Sequence, residues 1–376
     1  MDAEIILNKN NENKRVNYVD VLKFWGIFLL FIDHTGNSIK LTGFYENLRI
    51  WICSFHMPLF FISYGLIAKH YEIKNKKDFI NFLSHKAYGI IIPYILWSAL
   101  YSVNYSWRFF AGIFYGSNKS LGFASTNAVL WFLPTFFLSE IFFQLALNIK
   151  EKILIYLTKH KKNYVNGGGI ILLILLTIYC FISYLLSKLK IYIPIVKIID
   201  FPFSFDVSFL GSAFMLLGIL TKPFYEKIRK CGIGIKILII IPVFILTFIL
   251  SQLNKPINQI CSVMAWGIYG KSYICFFILA CLSTLVIAII SMMTENIHLF
   301  QRLGQNSIIS MTCHYIVFIY TIKLSKILMQ ILQNLQINQN ISSIFIVLFN
   351  SIMTYIGCGI FIFFINKFVP NLKGKK

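Results

Sequence analysis

The chain has 376 residues, of which 57% are hydrophobic and 13% charged, and its mean hydropathy is +0.72. This composition excludes an ordinary soluble domain and predicts a polytopic membrane protein. The net charge of +21 would suggest nucleic-acid binding in a soluble chain, but here the Lys and Arg residues lie in short clusters between apolar runs. Such clusters act as topology signals and lipid anchors, so we expect the lipid bilayer as a partner and no nucleic acid.

Apolar runs of spanning length predict an all-α polytopic membrane bundle of about ten transmembrane helices. The runs fall near residues 18–37, 49–69, 88–112, 128–149, 169–187, 203–221, 236–252, 272–293, 306–330 and 343–366. Lys and Arg residues are concentrated in the N-terminal segment, in every second loop and in the C-terminal tail, which places both termini in the cytoplasm. The loops at 188–203 and 253–271 could contain re-entrant or interfacial pieces.

The expected organisation is one membrane domain with short cytoplasmic ends. A polar N-terminal arm at 1–17 precedes a single transmembrane domain at 18–369, and a basic tail occupies 370–376. The first apolar run contains four ionisable residues and lacks the small-residue cleavage site of a signal peptide. We therefore expect it to remain in the mature protein as a membrane span. Any chemistry is therefore expected within the membrane bundle itself.

The ionisable residues of the first apolar run are the strongest functional signal. Asp20, Lys23, Asp33 and His34 are each unfavourable in hydrocarbon, so they should face the bundle interior or a wet cavity. On a helix, Lys23 and His34 point within about 20° of each other and lie about 16 Å apart along the axis, and Asp20 shares this stripe. Asp33 points about 100° away from His34, so we do not expect it to orient that imidazole.

Three later polar or aromatic residues are also site candidates or need a partner. His56 lies about two turns below the outer end of the second run, where it could share a cavity with His34 or be a satisfied interior histidine. Pro58 follows it and frees a backbone carbonyl. Trp131, at the outer end of the fourth run, is by itself more typical of the interfacial aromatic belt. Glu140 lies in mid-run and needs a partner that the sequence does not identify.

The ninth run begins with a polar segment on its cytoplasmic half. It contains Asn306, Ser307, Thr312 and His314, and the serine and histidine are nearly coaligned on a helix. An N-cap is an equally good interpretation of Asn306 and Ser307. The eight cysteines include no CxxC pair, and the histidines show neither HExxH nor another metal-ligand spacing, so we expect no metal.

Several of these residues together resemble a known family. Four residues in the order R-x4-D-x2-K-x10-H resemble the first-span signature of the acyltransferase-3 family of integral-membrane O-acyltransferases: Arg15, Asp20, Lys23 and His34. Four segments resemble later family elements, in the right order: SFHMPLFFIS (54–63), IIPYILWS (91–98), VLWFLP (129–134) and LGQNSIISMTCH (303–314). The chain departs from the family in having Ser-Tyr-Gly at 63–65 instead of Ser-Gly. It also has Lys86 near the position at which an additional Arg is usual in the family.

The resemblance implies transfer of an acyl group, usually acetyl, from cytoplasmic acyl-CoA to a hydroxyl of a cell-surface polysaccharide or its lipid-linked precursor. Under this hypothesis Lys23, with Arg15 or Lys86, holds the phosphate or pantetheine of the donor. His34 is the base for the sugar hydroxyl or the nucleophile that carries the acyl group. Asp20 fixes Lys23 through a local ion pair. The further site candidates are His56, Trp131, Asn306, Ser307 and His314.

The family reading also implies a multi-pass protein of a bacterial cytoplasmic membrane, with acetyl-CoA as a substrate and no metal. Its oligomeric state stays open. A transporter or flippase of glycan precursors has the same composition, but it would be favoured by inverted repeats or interrupted half-helices, which the sequence does not suggest. A polymerase or ligase of surface glycans would need a large outward loop. A non-catalytic subunit or sensor is a further alternative.

Overall fold

A computed structural model describes residues 15–39, 41, 43–101, 107–124, 126–159 and 167–369. Most of the N-terminal arm and the whole basic tail at 370–376 lie outside the described residues. Within the described residues the chain is helical, apart from its connections and one isolated antiparallel bridge between Val263 and Ile268. The predicted all-α class is confirmed.

The α-helices are numbered here in chain order. They are α1 (Asn17–Ser38), α2 (Phe44–Cys53), α3 (His56–Ile67), α4 (Lys76–Tyr101), α5 (Trp107–Tyr115), α6 (Asn118–Ala124), α7 (Phe132–Lys159), α8 (Gly167–Leu189), α9 (Pro194–Ile199), α10 (Phe205–Arg229), α11 (Ile233–Leu253), α12 (Tyr273–Met293), α13 (His298–Gln305), α14 (Ser307–Asn334) and α15 (Gln339–Phe368). Short 3-10 turns lie at Thr126–Trp131, Pro202–Ser204 and Met264–Trp266.

Eight stretches among the described residues are long and apolar enough to cross a membrane. They are Phe44–Ile67, Ala128–Lys159, Gly167–Leu189, Pro202–Arg229, Ile233–Leu253, Tyr273–Met293, Ser307–Asn334 and Gln339–Phe368. They coincide with eight of the ten predicted runs. The other two runs fall on α1 and α4, whose 22 and 26 residues span about 33 and 39 Å, enough to cross a membrane. Helix α4 ends at Tyr101, earlier than the predicted limit of 112.

Helix α1 is the central element of the bundle. It packs against α2, α3, α12, α13, α14 and α15. Asp20 and Asp33 are buried, and Lys23 and His34 are partly buried, so the ionisable stripe faces protein and cavities, as predicted. The more peripheral α8 and α11 bury only 17% and 11% of their apolar windows inside the protein, which leaves most of their surface for lipid.

The second span is interrupted, which the sequence did not predict. Helix α2 ends at Cys53 and α3 begins at His56, with Ser54 and Phe55 between them. Pro58 lies in the first turn of α3, where a missing backbone N–H leaves no helical hydrogen bond unmade. Phe44–Ile67 as a whole is still one apolar stretch long enough to cross a membrane, so this break is a local feature of one span.

The two connections noted in the sequence both contain additional structure. The 188–203 loop contains the short helix α9. The 253–271 loop folds back on itself through the bridge between Val263 and Ile268, and Asn254 ties its two ends by donating to the Tyr269 carbonyl at 3.0 Å. This second loop reaches the candidate site.

Candidate active site

One cavity of about 350 Å³ lies beside the N-terminal half of α1 and is called the Lys23 cavity. Its described basic lining residues are Arg15, Lys23, His85 and Lys86, and Glu140 supplies an acidic group. These side chains come from α1, α4, α7 and the residues just before α1. Because several cations converge on one partly enclosed space, the cavity is suited to an anionic ligand.

Asp20 fixes two of these cations. Its Oδ2 atom lies 2.6 Å from Arg15 Nε, and its Oδ1 atom lies 3.5 Å from Lys23 Nζ. The local ion pair that the sequence predicts between Asp20 and Lys23 is present. Because the Asp20 side chain is buried and the two cations are more exposed, the carboxylate holds them at the edge of the cavity.

Glu140 forms an ion pair with Lys86. The Lys86 Nζ atom lies 3.0 Å from Glu140 Oε1 and donates to the Tyr64 hydroxyl at 3.1 Å. The three residues belong to α4, α7 and α3, so the cluster links three helices. Tyr64 is the extra residue in the Ser-Tyr-Gly segment at 63–65, where the sequence departs from the family pattern. Its hydroxyl accepts a hydrogen bond from Lys86, which lies near the position expected for an additional Arg.

The start of α14 contributes to the same cavity. Ser307 lines it. Asn306 instead donates from Nδ2 to the Arg302 carbonyl at 2.8 Å and makes no side-chain cap bond to α14. Asn306 therefore occupies the N-cap position of α14, as one of the two interpretations predicts, but its side chain does not cap the helix.

A second cavity, of about 280 Å³, lies near the C-terminal end of α1 and is called the His34 cavity. Asp33, His34, Arg49, His56 and Trp131 all line it. The expectation that His34 and His56 share a cavity is confirmed. The interfacial-belt interpretation of Trp131 is wrong, since the indole is buried against this cavity.

The loop between α11 and α12 closes part of the His34 cavity. Every residue from Gln259 to Trp266 lines it. The Trp266 indole donates to Asn118 Oδ1 at 2.7 Å, which anchors the loop to α6. This wall comes from a connecting segment whose contribution no sequence motif signals.

His56 presents one ring nitrogen as a base. Its Nδ1 atom lies 3.0 Å from the Ile52 carbonyl oxygen, which can only accept a hydrogen bond. Nδ1 is therefore assigned the proton, and neutral His56 carries its lone pair on Nε2. The interruption between α2 and α3 lies within this hydrogen-bonded turn.

Asp33 is paired away from His34, as the sequence predicts. Its Oδ1 atom lies 2.8 Å from Arg49 Nε and 3.2 Å from Cys53 Sγ. The donor atoms of Asp33, Cys53 and Cys261 all lie within 4.8 Å of one another, an arrangement that could hold a metal and that the sequence did not predict. The Arg49 cation already neutralises Asp33 and opposes a further cation beside it.

The two cavities are neighbours but separate. Among the described residues they have no lining residue in common. On α3, Met57 lines the His34 cavity and Phe60, about one turn later, lines the Lys23 cavity. Similarly, Trp131, just before α7, lines the His34 cavity, and Leu133, in the first turn of α7, lines the Lys23 cavity. Lys23 and His34, which the sequence places on one face of a helix, therefore line two different cavities.

His314 lies beside His34, with the two ring centroids 5.2 Å apart. The histidine is buried in α14, and its ring also lies 5.6 Å from that of Phe31. Of the residues singled out in the sequence, the structure thus brings His34, His56, Trp131 and His314 together. The remaining candidates gather around the Lys23 cavity, except for Asn306.

Sequence reasoning missed Arg49, His85 and the contact of Cys53 with Cys261. Arg49 was detectable, because it is a charged residue at the start of an apolar run. His85 was detectable beside Lys86. The cysteine contact gives no sequence signal, since the two residues belong to distant segments with no recognisable spacing.

Comparison with known families matches this architecture to one of them. A family model described as an acyltransferase domain covers residues 16–364, nearly the whole chain. The chain belongs to the acyltransferase-3 family. No match was found among curated proteins or among solved structures. The protein is thus a membrane acyltransferase, and both cavities lie within the part of the chain that carries the family's domain.

Proposed function

We propose that this acyltransferase moves an acetyl or similar acyl group from acyl-CoA to a hydroxyl of a cell-surface polysaccharide or its lipid-linked precursor. The donor occupies the Lys23 cavity and the acceptor occupies the His34 cavity. The protein lies in a bacterial cytoplasmic membrane with both termini in the cytoplasm. The adjacency of a cationic cavity and a histidine-containing cavity, within one family domain, is the observation that carries this proposal.

The Lys23 cavity suits the donor because CoA combines phosphates with a long polar arm. Arg15, Lys23 and Lys86 offer charge-assisted hydrogen bonds to those groups. Two carboxylates, Asp20 and Glu140, pair with these three cations and leave one positive charge in excess. A bound phosphate therefore competes with carboxylates that also hold the cations in place, which keeps the site ordered before the donor arrives.

In the His34 cavity, His34 acts as the general base for the acceptor hydroxyl. It accepts the hydroxyl proton as the sugar oxygen forms a bond to the acyl carbon. The bond from that carbon to the CoA sulfur breaks, and the proton passes to the leaving thiolate. The products are the ester and free CoA thiol, and His34 returns to its neutral state. His56 and Trp131 line the space in which the acceptor is held.

The test uses a strain that lacks the gene and is complemented with wild-type protein, His34→Ala or the control His298→Gln, in which the exposed His298 is changed. Proton NMR of the surface polysaccharide, before and after mild alkali, measures base-labile acetyl groups. Loss of a general base lowers the rate by about 10²–10⁴-fold. We therefore expect the acetyl signal to disappear in His34→Ala while the protein remains in the membrane. Normal acetylation in this variant refutes the role of His34.

Transport or flipping of glycan precursors is the second candidate activity, because the interrupted second span has counterparts in transporters. The two candidates differ in what they consume. An acyltransferase releases CoA thiol in proportion to acceptor, whereas a transporter moves the glycan without consuming acyl-CoA. Thiol release by purified protein, with and without acceptor glycan, separates them.

A further inference from the structure

His314 is a buried base without a hydrogen-bond partner on one of its nitrogens. Its Nδ1 atom lies 2.7 Å from the Met311 carbonyl oxygen, so Nδ1 carries the proton and donates it. The lone pair of the neutral ring is then on Nε2. Among the described residues, that atom is buried and meets no donor. An unpaired buried polar atom costs about 1–3 kcal/mol, and here that atom is also a nitrogen lone pair capable of nucleophilic attack.

The position of His314 lies between the two cavities. Met311, to whose carbonyl it is bonded, lines the Lys23 cavity. His34, whose ring is 5.2 Å away, lines the His34 cavity. His314 itself lines neither. It therefore contacts one lining residue of each cavity, as a group that carries an acyl group from donor to acceptor should.

We propose that His314 is a second catalytic residue, which receives the acyl group from the thioester and passes it to the acceptor. This inference rests on the proposed function and replaces direct transfer from the thioester with transfer through an acyl-histidine. The unpartnered nitrogen supplies the nucleophile, and the neighbouring His34 remains the base. Among His34, His56 and His314, it is His314 that hydrogen-bonds to Met311, a residue that lines the Lys23 cavity, and also contacts His34.

The first step forms a bond between His314 Nε2 and the acyl carbon and breaks the bond from that carbon to the CoA sulfur. The CoA leaves as thiolate, and the acylated ring keeps its Nδ1 proton on the Met311 carbonyl as a cation. In the second step the sugar oxygen attacks the acyl carbon, and His34 takes the hydroxyl proton. The bond to Nε2 breaks, which restores neutral His314, and His34 returns the proton through water to the thiolate.

Access to Nε2 requires a neighbouring side chain to move. Met311 is suited to this, because an unbranched methionine changes rotamer readily and adapts to different packing. Met311 lines the Lys23 cavity, and its carbonyl fixes the tautomer of His314. In this proposal a change of the Met311 rotamer gives the thioester access to Nε2, while the backbone carbonyl keeps the ring oriented.

The experiment supplies purified protein with acetyl-CoA labelled in the acetyl group, in the absence of acceptor. Rapid quenching measures CoA thiol released in the first turnover and hydroxylamine-labile label on the protein. Wild-type protein and the exposed control His298→Gln should show both. His34→Ala should keep the label and fail to transfer it when acceptor is added, whereas His314→Gln should lose both label and transfer.

Two measurements keep the result interpretable. Binding of free CoA to His314→Gln, followed as a thermal shift in detergent, shows whether the fold and the donor cavity persist. Peptide mapping of the trapped His34→Ala protein should locate the label on His314. Label that persists in His314→Gln, or complete transfer without any labelled protein, overturns the inference while leaving the proposed function intact. Absence of acceptor-dependent thiol release in wild-type protein overturns the proposed function itself.

Discussion

Lys86 and Glu140 form an ion pair of 3.0 Å between α4 and α7, on the wall of the Lys23 cavity. Glu140 is almost fully buried, whereas Lys86 keeps part of its surface open to the cavity. The pair therefore joins two helices and at the same time places a cation where an anionic ligand can reach it.

Replacing Glu140 with Gln should lower the stability of the fold and increase the rise in melting temperature that added CoA produces. The lost partner leaves a partly buried cation, which costs about 1–3 kcal/mol of unfolding free energy. The freed Lys86 then gains more from a phosphate, so added CoA should raise the melting temperature of Glu140→Gln by more than that of wild type. Scanning fluorimetry in detergent measures both effects.

The matched control for this prediction is Glu151→Gln. Glu151 pairs with Lys150 at 2.8 Å, but this carboxylate is considerably more exposed. Exposed pairs contribute about 0–1 kcal/mol, so the control should barely change stability and leave the CoA response as in wild type. An equal CoA response in all three proteins would show that Lys86 does not meet the ligand.

Separating Asp33 from Arg49 should be strongly destabilising. The pair is 2.8 Å long and both side chains are largely buried beside the His34 cavity. Removing one member of a buried pair leaves an uncompensated charge, at about 3–5 kcal/mol. Arg49→Ala should therefore lower the unfolding free energy by about that amount, whereas a double change to Asp33→Asn and Arg49→Ala should recover part of it.

An exposed ion pair provides the comparison for Arg49. Lys74 and Glu72 lie 3.1 Å apart with most of their side-chain surface in contact with solvent. Lys74→Ala should change stability by at most about 1 kcal/mol. If Arg49→Ala and Lys74→Ala lose equally little unfolding free energy in denaturant titrations, the ion pair of Arg49 with Asp33 does not stabilise the fold.

Enlarging Gly304 should disturb the position of Asp20. A Cβ atom at Gly304 would lie 1.8 Å from the Asp20 carbonyl oxygen, so α13 and α1 must separate to admit it. Overpacking of this kind costs about 1–3 kcal/mol. We expect Gly304→Ala to lower both the melting temperature and the affinity for CoA, because Asp20 holds Arg15 and Lys23.

Gly234→Ala is the control for the glycine prediction. Gly234 is in the first turn of α11, and no atom of the described residues beyond its own stretch of helix lies within 4 Å of its Cβ position. Alanine is favoured over glycine in helices by about 0.5–1 kcal/mol, so this change should be neutral or slightly stabilising. A Gly304→Ala protein as stable as Gly234→Ala would contradict the close approach of α13 to α1.

Oxidation should link Cys53 to Cys261. Their sulfur atoms lie within 4.8 Å, on α2 and on the loop that walls the His34 cavity. A small rotation of the side chains is therefore expected to allow a disulfide in a variant that retains only these two cysteines. Mass spectrometry of proteolytic fragments after mild oxidation should find the cross-linked peptide.

A variant retaining only Cys53 and Cys231 should give no intramolecular link. Cys231 follows Arg229, whose guanidinium lies over the Tyr18 ring near the opposite end of α1. Linking in both variants would mean that the loop is not held at the site, and it would remove the wall from the His34 cavity.

The sequence by itself determined the helical elements and the role of α1 as a buried ionisable stripe. Apolar runs of spanning length leave few alternatives to helices in lipid, because every backbone polar group must be satisfied within the segment. The same environment penalises Asp20, Lys23, Asp33 and His34 unless they turn inward. The ion pair of Asp20 with Lys23 was also predictable, since residues three apart on a helix are neighbours.

Only the tertiary structure decided which distant groups meet. Glu140 and Lys86 are 54 residues apart in sequence, and the contact of His34 with His314 joins α1 to α14. The placement of Lys23 and His34 in two different cavities likewise depends on side chains from different helices. The periodicity of a helix fixes which of its residues share a face, but the rotation and neighbours of each helix follow from packing of the whole bundle, which local sequence does not specify.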